Sequence, residues 1–533
     1  MTRTQNSFFN FITSTFSTLL VVLLSFITRT VFVRYLSESY LGIDGYFSSI
    51  LSMLSLTELG FGSAIIYKLY KPIEEGNRRR IQVLMKLYRN VYRIVGFVIV
   101  GLGLCLIPFL PRLIRDYDHL LSLGISPVLL FLLYLFNSAA SYWFFAYKSA
   151  LVSASQKSYI LTAAGYTITI VGALVQILTL VITRNFLIYT IVLILQALSR
   201  NLLYAHICDK RNPYLKEKID DRVSKEELKG FFKDCAALLL YRVSNAVIDG
   251  TDNIILGAFV GMTAVGRYTS IYGAIKTNFR SLLYNFLAAI QASIGSIYST
   301  GNLEWSRLVF RVVNFCTVWL YGIAAVGFAV LMDEFIILWV GERFVVTSWT
   351  AAGGVTVATP LALLIGIQTY LSGQSFYCGS FRSAMGLFRE LKYRPVASMI
   401  VNLAASLYLV PRIGIAGCVV STIISESLTN LIIDPIIIHK HALKESPRNY
   451  FLRNFLYRLV TLAAGLLSWW LCRLTPVPGV PGFIVHGMLC VAVTSGAFTL
   501  CFFRTREFRF LVKTALSLLP GHSQSASPGE EGE

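Results

Sequence analysis

Residues 158–182 read SYILTAAGYTITIVGALVQILTLVI, and after Thr183-Arg184-Asn185 a second run over 186–206 reads FLIYTIVLILQALSRNLLYAH. The first run carries no charge. At about 1.5 Å of rise per residue, it outlasts a hydrocarbon core of about 30 Å. Backbone polar groups in lipid must be satisfied within the segment, and these runs are too long and uniformly apolar for barrel strands, so each is read as a helix. The same reading places spans at 9–33, 40–66, 91–111, 127–147, 158–182, 186–206, 236–260, 266–297, 309–331, 347–371, 395–411, 414–438, 456–474 and 483–503. The expectation is an all-α integral membrane protein of about fourteen transmembrane helices. The first run, with only Arg3 ahead of it and no small-residue cleavage site, reads as a span and not a cleaved signal.

Composition agrees, since 55% of the 533 residues are hydrophobic and 14% charged, too few charges to coat a soluble surface. The placement of Lys and Arg sets an expected orientation. One side collects Arg3, the cluster from Lys68 to Arg93, Lys148, Lys157, the run Lys210 to Lys233, Arg307, Arg311, Arg382 to Arg394, Lys440 to Arg458 and Arg504 to Lys513. The other side holds scattered arginines such as Arg34, Arg112, Arg184, Arg343 and Arg473. Both termini are therefore expected in the cytoplasm, and the net charge of +19 reads as topology plus contact with anionic inner-leaflet lipid. No basic face with interleaved aromatics stands apart for nucleic acid. The nine cysteines show no metal-ligand spacing and read as small apolar residues.

The hydrophilic stretch 209–234 follows six spans and suits a cytoplasmic linker. It separates a first six-helix bundle, 1–208, from a second, 235–440, with an extra helix pair at 441–515 and a disordered tail at 516–533. Leu36-Ser-Glu-Ser-Tyr-Leu-Gly42 can be laid on Val260-Gly-Met-Thr-Ala-Val-Gly266. This is the organisation of a duplicated transporter, two parallel six-helix halves around a central cavity.

A charge at the bilayer centre costs roughly 2.5–3.5 kcal/mol, so polar residues inside spans need a partner, water or a substrate. Arg242, Asn245, Asp249, Asp252 and Asn253 fall on one arc of the seventh span. Tyr272, Lys276, Arg280 and Tyr284 recur every four residues on the eighth, a cationic ladder edged by phenols. Arg29 on the first span, Asp44 and Glu58 on the second, and Arg200, Asn201 and Tyr204 on the sixth complete a polar set. Two readings stand beside each other: these side chains line a wet cavity, or they pair internally, as Arg29 with Asp44 or Arg242 with Asp249. Glu426 and Asp434 read as structural residues near a span end, and Trp143, Trp319, Trp469 and Trp470 as interfacial belts and packing.

An enzyme is not expected. Asp249-Gly-Thr-Asp252 lacks a second acidic cluster, Asp220-Asp221 lies in a charged linker, and no Ser-His-Asp set or phosphate-cradling glycine loop is visible. No metal or other cofactor is expected.

Thr28-Arg-Thr-Val-Phe32, Tyr40-Leu-Gly-Ile-Asp-Gly-Tyr46, Glu58-Leu-Gly-Phe-Gly62, Thr251-Asp-Asn-Ile-Ile-Leu-Gly-Ala-Phe-Val-Gly261, Val265-Gly-Arg-Tyr268 and Pro411-Arg-Ile-Gly-Ile-Ala-Gly417 resemble a polysaccharide repeat-unit flippase of the O-antigen and capsule type. That family belongs to the multidrug/oligosaccharidyl-lipid/polysaccharide exporter superfamily, and the resemblance covers roughly 8–440. It implies transfer of an undecaprenyl-diphosphate-linked oligosaccharide across a bacterial plasma membrane by alternating access, with membrane lipids and the glycosyltransferases and polymerase of the same pathway as partners. Arg242, Lys276 and Arg280, assisted by Arg29 and Arg200, would neutralise the diphosphate. Tyr272, Tyr284, Asn245 and Asn201 would meet sugar hydroxyls. Asp44, Glu58, Asp249 and Asp252 are the ion-coupling candidates. Fourteen spans depart from the twelve of many such flippases, which keeps a lipid II flippase open as an alternative. A cation-coupled multidrug exporter of the same superfamily is the other. A membrane scaffold recruiting glycosyltransferases through the linker is a third class.

Overall fold

The computed structural model describes residues 3–55, 61–122, 124–145, 147–155, 158–217, 221, 223–283, 298, 301–346, 349–350, 356–357, 361–387, 390–391 and 393–517. The principal helices are α1 (Arg3–Tyr35), α2 (Glu38–Leu54), α3 (Phe61–Glu74), α4 (Arg78–Leu106), α5 (Pro127–Trp143), α6 (Lys148–Ala154), α7 (Ser158–Thr183), α8 (Phe186–Arg211) and α9 (Lys225–Phe259). They continue with α10 (Met262–Val265), which runs through a π-helical segment (Gly266–Tyr272) into a helix over 273–283. Next come α11 (Leu303–Val340), α12 (Leu361–Ala384), α13 (Arg394–Ile413), α14 (Ile415–Leu428), α15 (Asn430–Ile437), α16 (Arg448–Leu474), α17 (Gly479–Phe502) and α18 (Arg506–Ser517). Two two-residue strands, Trp349–Thr350 and Thr356–Val357, precede α12.

The opening stretch folds as a helical hairpin. Arg184 takes the left-handed conformation, φ 50°, at the turn. The Asn185 side chain then accepts from the backbone N–H of Leu187 at 2.8 Å, capping α8 and satisfying a donor left over at its first turn. Gly165 and Gly172 let the partner helix approach, because a Cβ at either would overlap the Tyr204 hydroxyl or the Gln196 amide. Gln176 donates to Gln196 across the hairpin at 2.6 Å.

Among the described residues eight helices are long and apolar enough to cross a membrane, or nine if the bent pair α5 and α6 is one span. The outward faces are apolar. Only 22% of the spanning window in α17 and 28% of that in α16 is buried, and Leu462, Leu466 and Leu500 stand 60%, 61% and 77% exposed. Such a surface is tolerated only against lipid, so this is a multi-pass membrane protein. The expected 414–438 segment breaks at Thr429, while residues 56–60 of the 40–66 segment and much of 347–360 lie outside the described residues. Apolarity fixes that a segment is buried in lipid or protein but does not register where its hydrogen-bond ladder is interrupted.

The chain divides into two units, one comprising 1–278, 349–356 and 395–421, the other 279–348, 357–394 and 422–533. In the first unit α1 packs on α7, α4 on α5, and α2 on α9 and α10. In the second, α11 is the central helix, started by Asn302, whose side chain accepts from Trp305 N–H at 3.0 Å. It carries α12, α16 and α17. Gly366 brings α12 against the Ala325 carbonyl and Gly373 against the Tyr321 ring. The extra pair is bound to the bundle by aromatic packing of Phe315, Tyr457, Phe498 and Phe502. A buried amide pair, Gln374 to Asn454 at 3.0 Å, ties it further.

Candidate functional site

The first unit gathers most of the polar residues that the sequence places in spans. Arg29 Nη1 lies 3.6 Å from Asp44 Oδ2, both side chains largely covered, and Tyr134 donates to Asp44 Oδ1 at 2.5 Å. Of the two readings for Arg29, internal pairing with Asp44 is the one realised here. The phenol hydrogen bond and the neighbouring guanidinium charge make this carboxylate tolerable inside a span.

The second polar group sits where α9 meets the π-helical segment. Asp252 and Asn253 are buried, 6% and 7% exposed. Asn253 donates to Ser49 Oγ at 2.7 Å and accepts from Thr269 Oγ1 at 2.7 Å. Asp252 Oδ2 accepts from the Tyr268 hydroxyl at 3.4 Å and Oδ1 from Ser406 at 3.3 Å. Ser406 also reaches Ser421 at 2.7 Å. The lower end of the stripe on α9 therefore faces protein. The side chains of Arg242, Asn245 and Asp249 lie outside the described residues, as do Glu58 and Tyr284.

The residues of the ladder on the eighth span differ in burial. Tyr272 is 1% exposed, Lys276 half-buried and Arg280 exposed. Tyr272 ends the π-helical segment, and Lys276 follows it by four residues in the helix over 273–283. Lys276 stands 5.9 Å from the centre of the Tyr268 ring, whose hydroxyl reaches Asp252. A half-buried ammonium near a phenol ring is attracted by the ring's π face. Arg200 is exposed on α8, while Asn201 next to it is 9% exposed.

The sequence reading missed two buried sets in the second unit. Arg382 and Arg394, expected as loop cations, are 5% and 9% exposed, and both meet Asp434 at 3.2 Å. The signal was Asp434 itself, since a carboxylate in an apolar run requires a cation. The other set is His486 on α17, whose Nδ1 lies 3.0 Å from Glu334 Oε2 and whose Nε2 lies 2.9 Å from the Thr475 carbonyl. Ser372 donates to Glu426, a local structural contact. Among the described residues no group of three or more His, Cys, Asp or Glu is placed to hold a metal ion.

The linker region is tied back to the first unit. Arg79 Nε donates to Asp221 Oδ2 at 2.6 Å, Arg80 pairs with Glu227, and Lys148 donates to Asp209 at 2.6 Å. The Arg79 guanidinium holds the Asp221 carboxyl below its ordinary range.

No protein-family model matches the sequence, and no curated protein is significantly similar to it. Solved structures do match. The structure of "Lipid II flippase MurJ, inward closed conformation" superposes with a TM-score of 0.67 at 12% identity, covering 94% of this chain and 100% of that one. An inward-facing multidrug resistance MATE family transporter of the MOP superfamily gives 0.57 at 12% identity, covering 81% of this chain and 99% of that one. At this identity the likeness is one of fold, and the fold of this chain is the one shared by the lipid II flippase and the MATE transporters of the MOP superfamily.

Proposed function

We propose that this chain moves a polyprenyl-diphosphate-linked oligosaccharide from the inner to the outer leaflet of a bacterial plasma membrane, by alternating access, to supply a cell-surface polysaccharide. The observation that carries this reading is the match to a lipid II flippase along 94% of the chain, a larger share than the MATE transporter covers. The chemistry of the spans supports it. A diphosphate cannot cross hydrocarbon with its charge unpaired. Lys276 and Arg280, four residues apart, supply cations on the eighth span, and Arg242 lies on α9 in the same stripe as Asp252 by sequence. Arg200 and Asn201 remain in the proposed binding set. Arg29 and Asp44 serve it through their ion pair, and Tyr272, buried, positions Lys276 from the preceding turn. Asp44 and Asp252, the latter held by Tyr268 and Ser406, are the coupling candidates within the described residues.

Lipid II is the second reading, favoured by the name of the same structural neighbour. A multidrug exporter would want an acidic or aromatic cavity for cations, against which the excess of cations in the spans argues.

The test is leaflet transfer in proteoliposomes, comparing the unchanged protein with a Lys276→Ala/Arg280→Ala variant after both are shown to fold. Transfer of an undecaprenyl-diphosphate oligosaccharide by the first and not the second is the expected result. Equal transfer by both removes these cations from the mechanism. Transfer of lipid II alone selects the second reading, and transfer of neither lipid by either protein overturns the flippase.

A further inference from the structure

In the first unit, at the end where α3 stops and α4 begins, lies an open cleft of about 550 Å³. Six of its eight lining residues carry hydroxyls: Tyr67, Tyr70, Tyr88, Tyr92, Ser149 and Ser153. Its floor is rigid. Tyr88 and Tyr92, 2% and 6% exposed, pack edge to face with ring centres 4.5 Å apart, and the Tyr88 hydroxyl donates to that of Tyr92 at 3.0 Å. Its wall is accessible. Tyr67 and Tyr70, 76% and 47% exposed, stand three residues apart on α3 with their rings at 85° and centres 6.4 Å apart.

An interfacial belt also places tyrosines near a span end. A belt needs no concavity, whereas here the rings line an open cleft whose volume falls within the roughly 300–1,000 Å³ range of small-molecule pockets. Three ligand chemistries compete for aromatic walls. An acyl chain would set hydrocarbon against the hydroxyls of Tyr67, Tyr70 and Ser153, which is costly for polar groups. A quaternary ammonium would be attracted by the ring faces, yet the same end of the unit carries six cations, Lys68, Lys71, Arg78, Arg79, Arg80 and Lys86, against four carboxylates, Glu74, Glu75, Asp221 and Glu227, a net positive charge that disfavours it. A sugar ring suits both features: its C–H face lies on a phenol ring, and its hydroxyls exchange hydrogen bonds with phenols and serines, which both donate and accept.

We propose that this cleft binds one or two pyranose rings, the sugar headgroup of the transported lipid as it docks at the basic end of the first unit. The assignment of the sugar's source rests on the transport reading above. The affinity for a sugar ring rests on the cleft alone.

The experiment is saturation-transfer difference NMR on the full chain in nanodiscs. The probes are neutral di- and trisaccharides of glucose, galactose, mannose, rhamnose and N-acetylglucosamine, with tetramethylammonium as a separate probe. Tyr67→Ala/Tyr70→Ala removes the exposed wall and leaves the buried floor, so its folding is checked by melting. Tyr159→Ala, an exposed tyrosine on α7, is the control. The expected result is transfer to ring protons of at least one saccharide, about tenfold weaker binding in the double variant, and no change in the control. Transfer to no saccharide, equal transfer in the double variant, or transfer to tetramethylammonium alone overturns the proposal. Leaflet transfer measured on the same preparations separates the two readings. Lipid transfer without saccharide binding sinks the cleft and leaves the flippase, and saccharide binding without lipid transfer does the reverse.

Discussion

Gly42 and Gly266 each lie against the other's turn in a reciprocal contact. A Cβ on Gly42 would overlap the Met262 carbonyl, and one on Gly266 would stand 2.7 Å from the Glu38 carbonyl and 2.9 Å from the Gly42 nitrogen. Laying 36–42 on 260–266 pairs Glu38 with Met262 and Gly42 with Gly266, so the contact exchanges equivalent residues, as two copies related by a two-fold do. The ion pair of Glu38 with Arg267 at 2.9 Å sits on one side of it, and the apolar Met262 takes the place of Glu38 on the other.

Gly42→Ala and Gly266→Ala are each expected to destabilise the protein by roughly 1–3 kcal/mol or more, because the added methyl meets backbone and not a movable side chain. Gly101→Ala on α4, with nothing within 4 Å of its Cβ, should be neutral or stabilise by up to about 1 kcal/mol through helix propensity. Melting temperatures of the three variants in detergent check this. Equal melting temperatures would show that the turns separate without cost.

Asp434→Asn should cost about 3–5 kcal/mol, since it leaves Arg382 and Arg394 buried without their carboxylate. Replacing all three residues by Leu and Met of similar volume should restore most of that loss, because the desolvation cost leaves with the charges. Chemical or thermal unfolding of the single and triple variants distinguishes a structural ion triad from a functional charge.

For Arg29 and Asp44 a double-mutant cycle is the decisive measurement. Arg29→Ala alone is expected to cost about 1–2 kcal/mol, between the values for exposed and buried pairs, given side chains 25% and 17% exposed. Arg29→Ala with Asp44→Ala should cost less than the sum of the two. An additive cycle would mean that Arg29 has another partner that matters more.

The linker should respond to salt and pH. Arg79–Asp221 is an exposed pair, so raising salt from 0.05 M to 1 M screens it, and hydrogen exchange over 213–229 should quicken. The Asp221 carboxyl is depressed by its hydrogen bond to Arg79, so its contribution is complete above the ordinary value of 3.8 and is lost as pH falls below it. Protection corrected for intrinsic rate should therefore be equal at pH 7 and 5 and lower at pH 3.

Several features were legible because they follow from one residue type and its period. The uncharged run 158–182 gave a helix, Thr183-Arg184-Asn185 its turn, and the small residues 411–417 a tight reversal. There Gly414 takes φ 56° and Gly417 lets its helix approach the Val410 nitrogen. The pairing of Arg29 with Asp44 was legible as an alternative because charges in spans need partners. Not legible were the burial of Arg382 and Arg394 and the π-helical segment before Lys276. Loop cations and buried cations look alike until their carboxylate is placed, and a π-helical segment has no period in the sequence.

The sequence by itself determined that this chain lives in a bilayer, that its spans are helices, and that a handful of polar residues inside them require partners. These follow from solvation energies that each residue carries wherever it goes. Only the tertiary structure decided which partners were taken: Asp44 for Arg29, Ser49 and Thr269 for Asn253, Asp434 for two arginines, and four tyrosines around one cleft. Those choices depend on contacts between residues up to 204 positions apart, set by helix packing, which local composition does not encode.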